Sequence, residues 1–216
     1  MRIALFGGTF DPPHRGHLGA ATLAAQAFHL DKVLFAPVGV QPLKEGRPTT
    51  PFAHRLAMVR LACEEDPRFQ PSLIDSPRPN RAPNYTVDTL TTLHQRYPAA
   101  TLFSLVGADS FLSLPHWKSP HRLLALAQWI VISRPGSPLG DISALGLTPE
   151  ELRRVHCIET MHDEVSATDL RRRLAAGEDC TGLLTAPFSH YIRKHGLYRV
   201  DHGEDADVLQ NPSPQT

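Results

Sequence analysis

Cysteine is scarce in this chain of 216 residues. Cys63, Cys157 and Cys180 are far apart and fit no Cys-x-x-Cys spacing. Three scattered thiols argue against a disulfide framework or a cysteine-built zinc site, and read as reduced cysteines of a cytoplasmic protein. Net charge is lacking too, since 22 Lys and Arg balance 22 Asp and Glu. That removes support for nonspecific binding to nucleic acid or to a membrane surface, while local basic clusters can still hold a small phosphate ligand. Long apolar runs are missing: the longest, residues 123–132, is broken by Gln128 and is too short to span a bilayer. Only a very short apolar run precedes the first glycines, so no secretory leader is expected. The 41% hydrophobic content is enough for one sizeable core.

Short runs rich in branched or aromatic residues alternate with helix-like segments. Ile3–Phe6, Val33–Val38, Leu102–Val106 and Trp129–Ser133 are expected to be strands buried on both faces of a parallel sheet. Helices are expected at His14–Phe28, at Phe52–Glu65 with a stripe of Phe52, Leu56, Val59 and Cys63, and at Thr86–Tyr97 with Val87, Leu90 and Leu93. This alternation predicts an α/β doubly wound parallel sheet with helices on both faces and ligands beyond the carboxyl ends of the strands. A single domain is expected over residues 1–200. Val38–Pro51, Ser76–Pro83 and Gly136–Leu147 read as loops, the first as a mobile cover over the site, and the polar tail 201–216 reads as disordered.

The most informative stretch is Gly7-Gly8-Thr9-Phe10-Asp11-Pro12-Pro13-His14-Arg15-Gly16-His17, directly after the first predicted strand. Gly7 and Gly8 permit a sharp bend and close approach of the backbone to a ligand. The helix that follows opens near His14, where unpaired N–H groups suit a phosphate. His14 and His17 lie three residues apart on one helix face, with Cβ atoms about 5–6 Å apart. Both imidazoles can therefore address one polyphosphate. Phosphoryl and nucleotidyl transfer need this arrangement: reactants held in line and charge neutralised on the phosphorus oxygens.

This string resembles the signature of the nucleotidyltransferase superfamily with the His-x-Gly-His motif. Further segments resemble one branch, the bacterial nicotinate mononucleotide adenylyltransferases. They are Tyr85-Thr86-Val87-Asp88-Thr89-Leu90, Gly107-Ala108-Asp109-Ser110 with Trp117, Ser166-Ala167-Thr168-Asp169-Leu170-Arg171, and the closing Tyr191-Ile192 and Leu197-Tyr198. The likeness runs over residues 1–200. It implies a Rossmann-like fold and transfer of AMP from ATP to nicotinate mononucleotide, with Mg2+ carried mainly on the ATP phosphates and no metal held by the protein itself. It also implies ATP and nicotinate mononucleotide as partners, and no nucleic acid or membrane.

The resemblance makes His14 and His17 the phosphate-stabilising pair. Thr9 and Phe10 would offer backbone groups to the nucleotide, and Asp11 would either act beside them or cap the helix or its preceding turn. Lys44 would contact phosphate or stand solvated; its context Gln41-Pro42-Leu43-Lys44 departs from the family's commoner Pro-Pro-His-Lys. Asp109 would approach the nucleotide or cap a helix over residues 110–114, and Arg134 would touch the nucleotide or lie on the surface. Ser166 would cap a helix over Thr168–Ala175, where Thr168 and Arg171 join it around phosphate, with Ala167 replacing the family's second serine. Arg172 and Arg173 read as a solvated face. Asn84 would cap the helix whose start, with Tyr85 and Thr86, recognises the nicotinate carboxylate, although family members more often carry Ser or Thr there. Trp117, between His116 and Lys118, would stack on the pyridine ring. Pantetheine-phosphate or nicotinamide mononucleotide adenylyltransferase is the alternative chemistry. A noncatalytic nucleotide sensor would keep the fold and lose turnover.

Overall fold

In the computed structural model, which describes residues 1–42, 49–133, 142–159 and 166–199, the first strand explains the architecture. In β1 (Arg2–Gly8), Ile3 and Leu5 join one apolar cluster while Ala4 and Phe6 join the other. Side chains alternate across a strand, so β1 is buried on both faces and helices must cover it from both sides. One cluster takes residues from α1 (Arg15–Ala27), α2 (Phe52–Cys63), α7 (Ala167–Ala175) and α8 (Ala186–Lys194). The other takes residues from α3 (Thr86–Arg96), α4 (Ala108–Leu112) and α5 (Pro120–Leu126).

The remaining strands are β2 (Lys32–Pro37), β3 (Phe69–Pro71), β4 (Thr101–Gly107), β5 (Gln128–Ser133) and β6 (Val155–Glu159), and the short helix α6 spans Pro149–Leu152. The sheet order is β3-β2-β1-β4-β5-β6, with every neighbouring pair parallel. This is the doubly wound Rossmann-like order, and the strand order reverses between β1 and β4, where such sheets bind ligands. Gly7 and Gly8 end β1 and Gly107 ends β4, so both glycine segments lie at the carboxyl edge of the sheet on either side of that switch point.

The four expected strands and the helices at α1, α2, α3 and α7 are present. Two strands escape the sequence pattern because each is an edge strand. β3 has three residues and ends on a proline, and β6 is only half-buried, with His156 and Cys157 inside it. The stripe on α2 is corrected: the buried residues are Arg55, Met58, Val59 and Ala62, while Phe52, Leu56 and Cys63 are only partly covered. Arg55 lies outside the expected stripe, and its guanidinium is satisfied inside the protein. Ser76–Pro83 forms a loop, as expected. The core of the Val38–Pro51 cover, residues 136–141 of Gly136–Leu147 and the tail 201–216 lie outside the described residues, and Ile142–Leu145 forms a short 3-10 turn.

Candidate active site

His14 is the N-cap of α1, with extended backbone. Its N–H donates to His17 Nδ1 at 3.3 Å. The two imidazoles meet at a tilt of 39° with centroids 3.8 Å apart, and the His17 ring also rests against Phe10 at 5.1 Å and Phe6 at 5.9 Å. Burial, with the neighbouring His14 as a second cause, holds His17 well below the ordinary histidine pKa. His17 is therefore neutral. Because its Nδ1 accepts a hydrogen bond, its proton is assigned to Nε2, which becomes a donor. A neutral donor at a helix N-terminus is well matched to an anionic phosphate oxygen.

The turn before α1 is held from three directions. Phe10 sits at φ 50° with its ring buried, edge-on to Phe6 at 5.4 Å and tilted against Phe35 at 5.7 Å. A Cβ on Gly8 would press on the Phe10 ring at 3.2 Å, whereas one on Gly7 would meet no protein atom within 4 Å. Gly7 thus leaves open space at the strand end, and Gly8 admits the packed ring. Thr9 donates its hydroxyl to Gln41 Oε1 at 2.9 Å, and its carbonyl accepts Arg55 Nη1 at 2.8 Å.

Asp11 does not cap α1; that position belongs to His14. The Asp11 carboxylate is buried and accepts the Thr50 N–H at 3.1 Å and the Tyr198 hydroxyl at 2.7 Å. Its backbone carbonyl accepts Arg171 Nη1 at 2.7 Å. Arg171 also donates Nη2 to Thr168 Oγ1 at 3.2 Å, so its fork ties α7 to the glycine-rich turn. Tyr198 stays protonated, because burial and the Asp11 carboxylate both push its phenol upward. Ser166 caps α7 by accepting the Asp169 N–H at 3.0 Å, and the helix starts one residue earlier than expected, at Ala167. Arg172 and Arg173 pair with Asp169 on the outer face, both at 2.7 Å.

On the other flank the N-cap of α3 is Tyr85, not Asn84. The Asn84 side chain is turned to other work: Oδ1 accepts the Val40 N–H at 2.9 Å and Nδ2 donates to Ser76 O at 3.2 Å. Tyr85 is half-buried with Lys118 Nζ 4.4 Å from its ring centroid, and Thr86 opens the helix. Trp117 is half-buried between exposed His116 and Lys118. It donates Nε1–H to Ser113 Oγ at 2.9 Å and meets Trp129 edge-on at 5.9 Å. Asp109 is exposed in the first turn of α4, whose N-cap is Gly107; it does not cap a helix over residues 110–114. Lys44 and Arg134 lie outside the described residues.

The structure thus gathers Gly7, Gly8, Thr9, Phe10, His14, His17, Thr168 and Arg171 around one turn. Asn84, Tyr85 and Thr86 stand together at the start of α3, while Trp117 and Asp109 follow β4. Sequence reasoning missed Arg55, which is 2% exposed and donates to both Thr9 O and Thr50 O. Its signal was a lone arginine in step with Met58, Val59 and Ala62 on a helix. Among the described residues, no group of three or more His, Cys, Asp or Glu is arranged to hold a metal ion. No helix among them is long and apolar enough to cross a membrane.

A family profile described as Cytidylyltransferase-like matches residues 5–173. A probable nicotinate-nucleotide adenylyltransferase of Thermomicrobium roseum is 42% identical over 199 residues, covering 92% of each chain. The protein of the same description from Thermus thermophilus is 40% identical over 199 residues, covering 92% of this chain and all of that one. Among solved structures, the Plasmodium falciparum nicotinic acid mononucleotide adenylyltransferase complexed with NaAD superposes with a TM-score of 0.72 over 91% of this chain and 97% of that one. At 17% identity that likeness speaks for the fold.

Proposed function

The chain belongs to the Cytidylyltransferase-like family and, within it, to the nicotinate-nucleotide adenylyltransferases, and from that premise we propose how its own residues carry the reaction. The enzyme transfers AMP from ATP to nicotinate mononucleotide, giving deamido-NAD and pyrophosphate in NAD biosynthesis. A phosphate oxygen of the acceptor attacks the α-phosphorus of ATP. One phosphorus–oxygen bond forms as the bond to the pyrophosphate oxygen breaks. The attacking oxygen is already ionised, so no side chain has to remove a proton. The protein's task is alignment and charge stabilisation.

The observation that carries this reading is the placement of His17 in the first turn of α1, with Nδ1 occupied by the His14 N–H. Its Nε2–H serves the α-phosphate oxygens, with His14 beside it. Ser166, Thr168 and Arg171 at the start of α7 serve the outer phosphates. Lys44, Asp109 and Arg134 belong to the nucleotide side of the same proposal. The donors gathered here suit phosphate oxygens rather than a cation, so Mg2+ would be held mainly by the ATP phosphates and would supply charge neutralisation there. The first amides of α3, at Tyr85 and Thr86, receive the nicotinate carboxylate, and Trp117 stacks on the pyridine ring. A cytoplasmic setting is part of the proposal, because ATP is the substrate and the three cysteines are free thiols. Burial pushes the Cys63 thiol up to about 12, which leaves it protonated and inert.

Pyrophosphate release tests the reaction, with ATP and magnesium supplied together with nicotinate mononucleotide, nicotinamide mononucleotide or phosphopantetheine. A strong preference for the nicotinate acid is expected. Preference for either other acceptor would remove the acceptor assignment, and silence with all three would remove the transfer itself.

Trp117→Ala tests the stacking role. Stacking of a ring on an aromatic side chain contributes about 1–3 kcal/mol, so KM for the acceptor should rise at least about fivefold while the affinity for ATP stays unchanged. Equal losses for both substrates would contradict stacking.

A further inference from the structure

Asn84 is 5% exposed and stands where three segments meet. Besides its two side-chain bonds, its N–H donates to Val40 O at 2.9 Å, so residues 40 and 84 are paired in both directions. One residue earlier, Gly39 N–H donates to Asp75 O at 2.7 Å. A Cβ on Gly39 would fall 2.5 Å from the Pro77 nitrogen, so this approach of two backbones requires glycine. The Asp75 carboxyl, buried and raised by that burial, accepts the Thr89 hydroxyl from α3 at 2.5 Å. One flank of residues 38–41 is therefore fastened to the start of α3.

The other flank is fastened to the phosphate motif. Val38 N–H donates to Gly8 O at 2.9 Å, and Gln41 Oε1 accepts the Thr9 hydroxyl at 2.9 Å. Residues 38–41 form a seam, with the turn that serves ATP on one side and the helix start assigned to the acceptor on the other. In-line transfer needs reacting atoms about 3–3.5 Å apart, and a misplacement of about 1 Å can cost roughly a hundredfold in rate. Neither half-site sets that separation alone.

We infer that Asn84 is a positioning residue for the acceptor, acting through Val40 and Gln41 to fix where the start of α3 stands relative to the glycine-rich turn. This rests on the assignment of that helix start to nicotinate mononucleotide. The side chain need not touch substrate; its two bonds hold the seam closed. Asparagine suits the place because it presents an acceptor to Val40 and a donor to Ser76 at once.

The test is a kinetic comparison of Asn84→Ala, Asn84→Asp, Gln41→Ala and the Asn84→Ala/Gln41→Ala double variant, with pyrophosphate release followed as each substrate is varied. ATP affinity is measured separately by equilibrium binding. Asn84→Ala should lower kcat/KM for nicotinate mononucleotide at least about tenfold, the effect of about 1.4 kcal/mol. ATP affinity should stay within about twofold. Asn84→Asp keeps the acceptor for Val40 and should recover part of the loss. Gln41→Ala should show the same signature more weakly. The double variant should fall short of the product of the single effects, because both cuts open one seam. Unchanged acceptor kinetics, a parallel fall in ATP affinity, or effects that simply multiply would each overturn the inference. If Asn84→Ala does not fold, Asn84→Asp and Gln41→Ala decide the matter by the same criteria. The wild type run alongside separates the two claims: failure to use nicotinate mononucleotide would remove the functional assignment, whereas normal wild-type turnover with unaffected variants removes only the role of Asn84.

Discussion

His17→Ala is expected to lower kcat at least about a hundredfold while the melting curve shows an intact fold. The ring is held by the His14 N–H on Nδ1 and by contact with Phe6, Phe10 and His14, so its Nε2–H has a set direction before any substrate arrives. A preorganised donor aimed at charge that grows in the transition state contributes about 3–4 kcal/mol, or about 10²–10³ in rate. The loss should appear in kcat more than in KM for ATP, because the interaction strengthens as the leaving group departs. Near-normal turnover would remove His17 from the mechanism.

The same residue carries a pH signature. Its folded pKa lies well below the ordinary value of 6.5 because the ring is buried beside His14. The unfolded chain therefore binds a proton first as pH falls. The contribution of a neutral His17 to stability is complete above about pH 6.5 and is lost progressively below it, down to the depressed folded value. His17→Ala should flatten that part of the stability profile. The rate should not fall through protonation of His17 near pH 6.5; a break there that His17→Ala abolishes would contradict the neutral assignment.

Arg55→Met is expected to be the most destabilising single change. The guanidinium is buried and donates Nε to Thr50 O at 2.9 Å and Nη1 to Thr9 O at 2.8 Å. Burial pulls its pKa down, and the Asp11 carboxylate pulls it back up. Removing it leaves two part-buried carbonyls short of a donor and takes away a positive charge that interacts with the Asp11 carboxylate. Leaving two acceptors unmet costs about 1–3 kcal/mol each, and with the lost charge the total is about 3–5 kcal/mol. For a chain of this size that lowers the melting temperature by roughly 6–20 °C, at about 2–4 °C per kcal/mol. Methionine replaces much of the stem's packing, so the loss reports the missing hydrogen bonds and charge rather than a cavity. Arg55→Lys should recover only part of it, since an ammonium keeps the charge but loses the two-pronged reach. A loss below about 1 kcal/mol for Arg55→Met would mean that water takes over both carbonyls.

These expectations mark how far the site could be read in advance. The His14 and His17 pair was legible because both residues belong to one helix turn, and three-residue spacing fixes their common face whatever the rest of the chain does. The cap at Ser166 was legible for the same reason: its partner, the Asp169 amide, is three residues away. Asp11 was not legible. Its carboxylate looked like a cap, but it meets Thr50 and Tyr198, 39 and 187 residues away, and its carbonyl meets Arg171, 160 residues away. Asn84 likewise had the right chemistry for a helix cap and was drawn off by Val40, 44 residues earlier. A short polar side chain can satisfy a nearby amide or a distant one, and local sequence does not rank the two.

What the sequence by itself determined is whatever short-range rules control: the buried central strands, the glycine-rich turn opening a helix, the histidine pair, and the ordered motifs that place the chain in its family. Only the tertiary structure decided the rest: the strand order with its switch point between β1 and β4, the buried Arg55 under the turn, the joining of the segment after α8 to the first motif through Tyr198, and the seam at Val40 and Gln41 between the two half-sites. The physical reason is that burial and hydrogen bonding are settled by whichever partner the completed fold brings within about 3 Å, and that neighbour is not written in the residues on either side.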